Sequence, residues 1–188
     1  MGRAGLAGIH LEDQVNPKRC GHLDGKACIE PLEMGRKIRA AVDSKRDPNF
    51  LIIARTDARG VEGLSAAVER AKMYQENGAD GIFPEGLASE AEFEAFREAV
   101  SIPLLANMTE FGKTPIIPVS RFRQLGYQLV IFPMTAFRVM LKALDDAYSE
   151  LILTGTQAGL IDRMRTRQEL YERIDYSEYD ALDRRWSS

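Results

Sequence analysis

The sequence predicts a parallel α/β protein. Short apolar runs that read as strands alternate with amphipathic segments that read as helices, and reactive side chains gather after the strands. Five such runs fall at about Leu6 to Leu11, Phe50 to Ala54, Gly81 to Phe83, Ile102 to Ala106 and Gln128 to Phe132. Each is apolar almost throughout, the pattern of strands covered on both faces. Each strand leads into chemically capable residues: Glu12, then Arg55-Thr56-Asp57, then Glu85, then Asn107-Met108-Thr109-Glu110, and, beyond Pro133, Arg138. A (β/α)8 barrel collects its functional residues on that C-terminal face. A Rossmann sheet would instead put a glycine-rich turn after its first strand, and the sequence contains neither G-x-G-x-x-G nor a P-loop.

The helices alternate with these strands. Pro31 to Ser44 places Leu32, Met34, Ile38 and Ala41 at helical spacing. Glu62 to Asn77 closes on Asn77-Gly78, a C-terminal signal. Ser89 to Val100 opens with Ser89 and carries Glu92 three residues on, a capping-box pattern. A short helix at Ser120 to Leu125 stops at Gly126, a long one spans about Thr135 to Leu153, and a last one runs from about Leu160 to Ile174. The polar tail Asp175 to Ser188 is expected to dock loosely or to fray. Residues 1–155 form the strand–helix array and residues 156–188 a C-terminal helix and tail. A closed TIM barrel takes eight βα units and about 250 residues. Five units in 188 residues make this a partial TIM barrel with open edges at the strands near Ile9 and Val130.

Composition narrows the function. A net charge of -3 with 25 scattered Lys and Arg argues against a nucleic-acid binder, which carries a basic stripe. No apolar run approaches the ~20 residues of a membrane helix. The two histidines and two cysteines show no zinc spacing, so any metal is expected to be a hard ion on oxygen ligands.

The richest stretch is His10-Leu11-Glu12-Asp13-Gln14-Val15-Asn16-Pro17-Lys18-Arg19-Cys20-Gly21-His22. A strand ends in carboxylates and opens into a loop that carries a thiol among cations. Lys18, Arg19 and His22 beside Cys20 would make the thiol more reactive, a candidate acid or nucleophile. A solvated loop with an incidental thiol is the competing reading. Asp13 has Lys18 or Arg19 as candidate partners, Cys28 reads as a packing residue, and Arg55 has either a buried ion pair with Glu85 or a ligand carboxylate to meet.

Lys18-Arg19-Cys20-Gly21-His22 resembles the Lys-Lys/Arg-Cys-Gly-His motif of the isocitrate lyase superfamily. With Glu12-Asp13-Gln14 upstream and Asn107-Met108-Thr109-Glu110-Phe111-Gly112 downstream, it is most similar to the methylisocitrate lyase branch. The stretches Gly155-Thr156-Gln157 and Met164 to Tyr171 resemble the same branch, while Asp175-Tyr176 departs from its usual Asn-Tyr. The resemblance starts at the fourth βα unit of a phosphoenolpyruvate/pyruvate-type barrel. It therefore implies a chain without the family's aspartate pair and Ser-Gly-Ser loop, and inactive by itself.

The implied activity is cleavage of 2-methylisocitrate, a tricarboxylate, to pyruvate and succinate in propionate catabolism, with Mg²⁺ or alternatively Mn²⁺. The rivals are isocitrate lyase, another lyase of the superfamily, and a non-catalytic fragment that associates with other subunits. By resemblance Cys20 is the general acid, supported by Lys18 and His22. Cys20, Gly21, Arg55, Glu85, Asn107, Met108, Thr109, Arg138 and Arg167 contact substrate, and Glu12 holds the metal through water. The family further implies a homo-oligomer, a tetramer, in the cytoplasm or, in a eukaryote, the mitochondrial matrix, with neither nucleic acid nor membrane as partner.

Overall fold

The computed structural model describes residues 1–187. The chain divides into two units, Met1–Ala136 and Phe137–Ser188.

The first unit holds five parallel strands: β1 (Gly8–Glu12), β2 (Leu51–Thr56), β3 (Gly81–Pro84), β4 (Leu105–Asn107) and β5 (Leu129–Ile131). β1, β2 and β3 form one sheet and β4 and β5 another. A single parallel bridge, Ile82 to Leu104, joins β3 to β4, so neighbours in sequence are neighbours in space. Helices α1 (Pro31–Asp43), α2 (Leu64–Glu76), α3 (Glu90–Ala99) and α4 (Val119–Gln124) fill the crossovers.

Each helix buries one stripe. α1 starts on Pro31, whose missing N–H costs nothing in a first turn, and sinks Met34 and Ile38 into the core. α2 presents Ala67, Ala71 and Tyr74, and the two alanines leave room for close packing. α3 buries Phe93 and Phe96. Phe93 meets Phe122 of α4 edge-on at 5.0 Å and Tyr127 at 5.4 Å, an aromatic node between the last two crossovers. These side chains join Ala54, Ile82 and Ala106 from the strands, and Leu104 just before β4, in one cluster.

The capping box expected at Ser89 is half formed. Ser89 Oγ accepts the Glu92 N–H at 3.3 Å, but the Glu92 carboxylate turns to the Ala88 N–H and to Arg59 instead. The strands are not uniformly covered. β3 is buried at all four positions, whereas β1 is half-buried and Leu129 and Ile131 of β5 are exposed. Among the described residues β1 pairs only with β2, and β5 only with β4, as expected for edges.

The second unit carries α5 (Thr135–Thr154, which begins in the first unit), a 3-10 segment at Ala158–Arg163, α6 (Arg167–Arg173) and α7 (Tyr176–Trp186). The single helix expected from Leu160 to Ile174 is thus two elements, because Met164 is extended and Thr166 starts a new helix through a full capping box with Glu169. Of the tail, Tyr176–Trp186 is helical rather than frayed. Tyr176, Tyr179, Leu182 and Trp186 recur at helical spacing, and α7 forms over them, with Tyr171 and Tyr176 stacked at 4.3 Å where α6 meets it.

One-sided strands and apolar side chains such as Ile152 and Leu153, each more than four-fifths exposed, favour association. Residues 1–188 expressed alone should sediment as species heavier than the 21.1 kDa monomer. A homogeneous monomer with one sharp melting transition would contradict this.

Candidate active site

The geometry of the C-terminal strand ends is set by register. Glu12 of β1 pairs with Arg55 of β2, which pairs with Phe83 of β3. Side chains opposite each other in adjacent strands share a face, as do residues two apart. Glu12, Arg55, Asp57 and Glu85 are therefore thrown together. The Arg55 Nε donates to Asp57 Oδ2 at 2.9 Å and Nη2 to Oδ1 at 3.3 Å. Nη2 also lies 3.2 Å from both Glu12 Oε1 and Glu85 Oε2. The guanidinium packs over the Phe83 ring at 4.9 Å. The ion pair with Glu85 weighed from sequence exists, and two further carboxylates join it.

Burial sets the electrostatics. Asp57 and Glu85 are almost fully enclosed and Arg55 nearly so. Burial pushes both carboxyl pKa values up. Arg55 on Asp57, and His22 with Arg55 on Glu85, outweigh it and leave both below the carboxylate range. Burial likewise pulls the Arg55 pKa down, and its carboxylate partners more than restore it.

The motif loop is pinned at its base. Gln14 and Cys28 form an antiparallel bridge, with Val15 N–H on Ala27 C=O and Ile29 N–H on Asp13 C=O. The Gln14 amide then grips the Arg19 peptide units: Oε1 accepts the Arg19 N–H and Nε2 donates to the Arg19 C=O, each at 2.9 Å. Gly21 lies against the ionic cluster so closely that a Cβ there would stand 2.2 Å from Glu85 Cγ and 2.9 Å from Arg55 Nη2. His22 Nδ1 accepts the Lys113 N–H at 3.0 Å, so the ring proton sits on Nε2, 3.1 Å from Glu85 Oε1. That contact is close without being aligned as a hydrogen bond. Gly112 permits it, since a Cβ there would strike the ring. Cys20 itself is exposed.

Several expected partnerships are different. Lys18 pairs with Glu12 Oε2 at 2.5 Å, and His22 faces Glu85, so neither is spent on the thiol. Asp13 meets neither Lys18 nor Arg19. It is fully buried, accepting Tyr74 Oη–H at 2.9 Å and the Asp57 N–H at 2.9 Å, with Arg70 Nη1 at 3.6 Å. It is a strut between β1, β2 and α2. Cys28 packs on the core with Sγ 3.7 Å from Asp13 Oδ1; burial, then the Asp13 charge, push its thiol up to about 12.

Asn107 joins the cluster, its Nδ2 3.2 Å from Glu85 Oε2. Met108 is buried and held by its N–H on Ile131 C=O at 2.9 Å, and Thr109 comes next, half-buried. Arg138 lies on α5 and Arg167 opens α6, both in the second unit.

Sequence reading missed Lys26, whose side chain is only 3% exposed, with Nζ 3.5 Å from Asp57 Oδ1. It gave Asp57 no role, although Asp57 stands two residues after Arg55 and so shares its face. A cavity of about 500 Å³ lined by Arg3, Ile9, Phe50 and Ile52 opens at the other, N-terminal ends of the strands and holds none of these residues.

Similarity to known proteins fits this arrangement. The family model described as phosphoenolpyruvate phosphomutase matches residues 1–152. The chain belongs to this family. The 2-methylisocitrate lyase of Aeropyrum pernix is 56% identical over 181 residues, 96% of this chain and 58% of that protein. The 2-methylisocitrate lyase of Escherichia coli is 49% identical over 180 residues, 96% of this chain and 61% of that protein. The chain thus spans about 60% of the length of these curated relatives. A solved 2,3-dimethylmalate lyase of the same superfamily superimposes with a TM-score of 0.87 at 32% identity, over 99% of this chain and 62% of that one. The family fold is the TIM barrel, and this chain supplies five of its βα units.

A protein of the same fold, phosphonopyruvate hydrolase (22% identity, TM-score 0.81, 100% of this chain and 65% of that one), was solved with oxalate and Mg²⁺. The residues here do not compose such a centre. Glu12 gives Oε1 to Gln14 and Arg55 and Oε2 to Lys18, and Asp57 is held by Arg55 and Lys26. No group of three or more His, Cys, Asp or Glu among the described residues is placed to hold a metal.

The site makes two outcomes measurable. Gly21→Ala should destabilise the first unit by about 1–3 kcal/mol, the range for overpacking, seen in urea denaturation; a neutral effect would deny the close approach. Glu85 and Asp57 have folded pKa values below their ordinary 4.5 and 3.8. Their contribution is complete above those values and is lost as pH falls through the depressed folded ones. Glu85→Gln should flatten the acid limb of the stability curve below about pH 4.5. An unchanged limb would contradict the pairing.

Proposed function

We propose that these residues form the Cys20-bearing part of a 2-methylisocitrate lyase active site, one that cleaves 2-methylisocitrate to pyruvate and succinate. The observation that carries the reading is the high identity to enzymes of that name, 56% and 49% over 96% of the chain. The site residues are consistent with it: an exposed thiol stands on a loop seated over a buried ionic cluster.

In this reading the substrate hydroxyl loses its proton to water and its oxygen electrons form the pyruvate carbonyl as the carbon–carbon bond breaks. The bonding pair passes to the succinate half, the Cys20 Sγ–H protonates that carbon, and the thiolate regains a proton from water. The imidazole of His22, neutral on Nδ1, and the Glu85 carboxylate hold the loop beneath Cys20. Gly21, Asn107, Met108 and Thr109 line the approach. Lys18, Lys26 and Arg55 face the carboxylates of Glu12, Asp57 and Glu85, so this cluster is balanced within itself. Arg55 can give a substrate carboxylate only an edge of its guanidinium, and by family resemblance Arg138 and Arg167 supply the remaining positive charge. The divalent ion of the proposed reaction, Mg²⁺ or Mn²⁺, takes ligands that the described residues do not provide. A soluble cytoplasmic homo-oligomer completes the proposal; no described helix is long and apolar enough to cross a membrane.

The test is a chimera with residues 1–188 replacing the matching segment of the Escherichia coli enzyme. It should cleave 2-methylisocitrate in preference to isocitrate. Cys20→Ser should lower kcat by about a hundredfold or more, the scale of a lost general acid, and Arg167→Ala should raise KM by about tenfold to a hundredfold, as for a lost charge-assisted contact. A folded chimera that turns over undiminished with Cys20→Ser removes the acid assignment. Residues 1–188 alone should give no turnover with Mg²⁺; normal turnover would overturn that expectation.

A further inference from the structure

We propose that Lys26 is a positioning residue whose buried ammonium ties the Cys20 loop to the end of β2 and so sets the reactivity of the Cys20 thiol. Its Nζ donates to the Gly21 C=O and lies 3.5 Å from Asp57 Oδ1. Only 3% of the side chain is exposed, and the Asp57 carboxylate it meets is fully buried. An ammonium is costly to take out of water. It is retained where hydrogen bonds and a counter-charge offset that cost, and here both come from backbone and side chain next to the reactive loop. The local sequence makes space for it: a Cβ at Gly60 would stand 3.0 Å from Nζ.

The consequence falls on Cys20. Upstream, Gln14 holds both the N–H and the C=O of Arg19. Downstream, Lys26 holds the C=O of Gly21, whose Cα is pressed on Glu85 and Arg55. Between these clamps the Cys20 C=O accepts the Leu23 N–H at 3.0 Å, closing a turn. The backbone on both sides of Cys20 is fixed while its side chain is exposed to a ligand. This is how a proton donor is held ready without being shielded. Without Lys26 the Gly21 peptide loses this anchor, and the thiol is no longer presented in one orientation to an incoming group.

The proposal rests on the reading of Cys20 as the acid, but its test needs no turnover. Iodoacetamide labelling of residues 1–188, resolved by mass spectrometry, compares Cys20 with Cys28 as internal reference across pH 6 to 9. Lys26→Met should slow Cys20 labelling at pH 7 by about threefold or more and leave the Cys28 rate unchanged. Lys26→Arg, which keeps charge and donors, should recover most of the rate. An unchanged or faster Cys20 profile in folded Lys26→Met, or Cys28 slowing in parallel with Cys20, would overturn the proposal. So would Lys26→Arg that folds but fails to recover the rate.

Reductive methylation of the unsubstituted chain decides the case if neither variant folds. Lys26 should resist modification under conditions that methylate Lys18, and equal modification would overturn the proposal. The acid assignment fails separately, if unsubstituted Cys20 labels no faster than Cys28 or if Cys20→Ser retains activity in the chimera.

Discussion

One buried guanidinium determines how the strand ends are arranged. Arg55 emerges from β2 into a space where water is scarce, and three carboxylates from three strand ends close on it. A charge so enclosed is tolerable only with its partners in place. Each partner in turn constrains a different segment. Asp57 fixes the turn after β2, Glu12 the end of β1 with Lys18 and Gln14, and Glu85 the end of β3 with His22 and Asn107. The motif loop is therefore seated by ionic contacts that long precede any contact with substrate.

The same cluster explains why the described residues do not by themselves compose a site for a divalent ion. Metal ligands must present oxygens with lone pairs directed at one empty position. Here the carboxylate oxygens point at nitrogen: Arg55, Lys18 and Lys26 take the places that a cation would take. Behind them Asp13, Tyr74 and Arg70 form a second buried set that anchors the β1 and β2 ends to α2. Burial, then the Asp13 charge, raise the Tyr74 pKa, which keeps its hydroxyl a donor at physiological pH. The core packing of Ala67 and Ala71 brings α2 close enough for that bond.

Much of this was legible in the sequence because it is periodic. All five strands stand where apolar runs ended in reactive residues, and Arg55, Glu85 and Asn107 stand at those ends. The motif and the flanking Glu12-Asp13-Gln14 located the loop and its family. Pairing was harder to read, since it depends on which distant elements meet. Asp13 finds Tyr74, 61 residues away, rather than the cations beside it, and His22 finds Glu85 rather than Cys20. Lys26 gave no local signal, because a lysine after Gly25 looks like any solvated loop residue until Asp57 and Gly21 close over it. The helix in the tail was missed because its charges hid the spacing of Tyr176, Tyr179, Leu182 and Trp186.

The central claim is that Arg55 and Glu85 are one energetic unit on which the Cys20 loop rests. A double-mutant cycle measures that directly: Arg55→Met, Glu85→Gln and the pair, in the Escherichia coli chimera, each assessed by urea denaturation. Each single change leaves a buried charge short of one of its partners, while the double change removes both members of the pair. The double variant should be more stable than the sum of the singles by about 1.5 kcal/mol or more. Additive losses would contradict it and reduce the contact to a coincidence of packing.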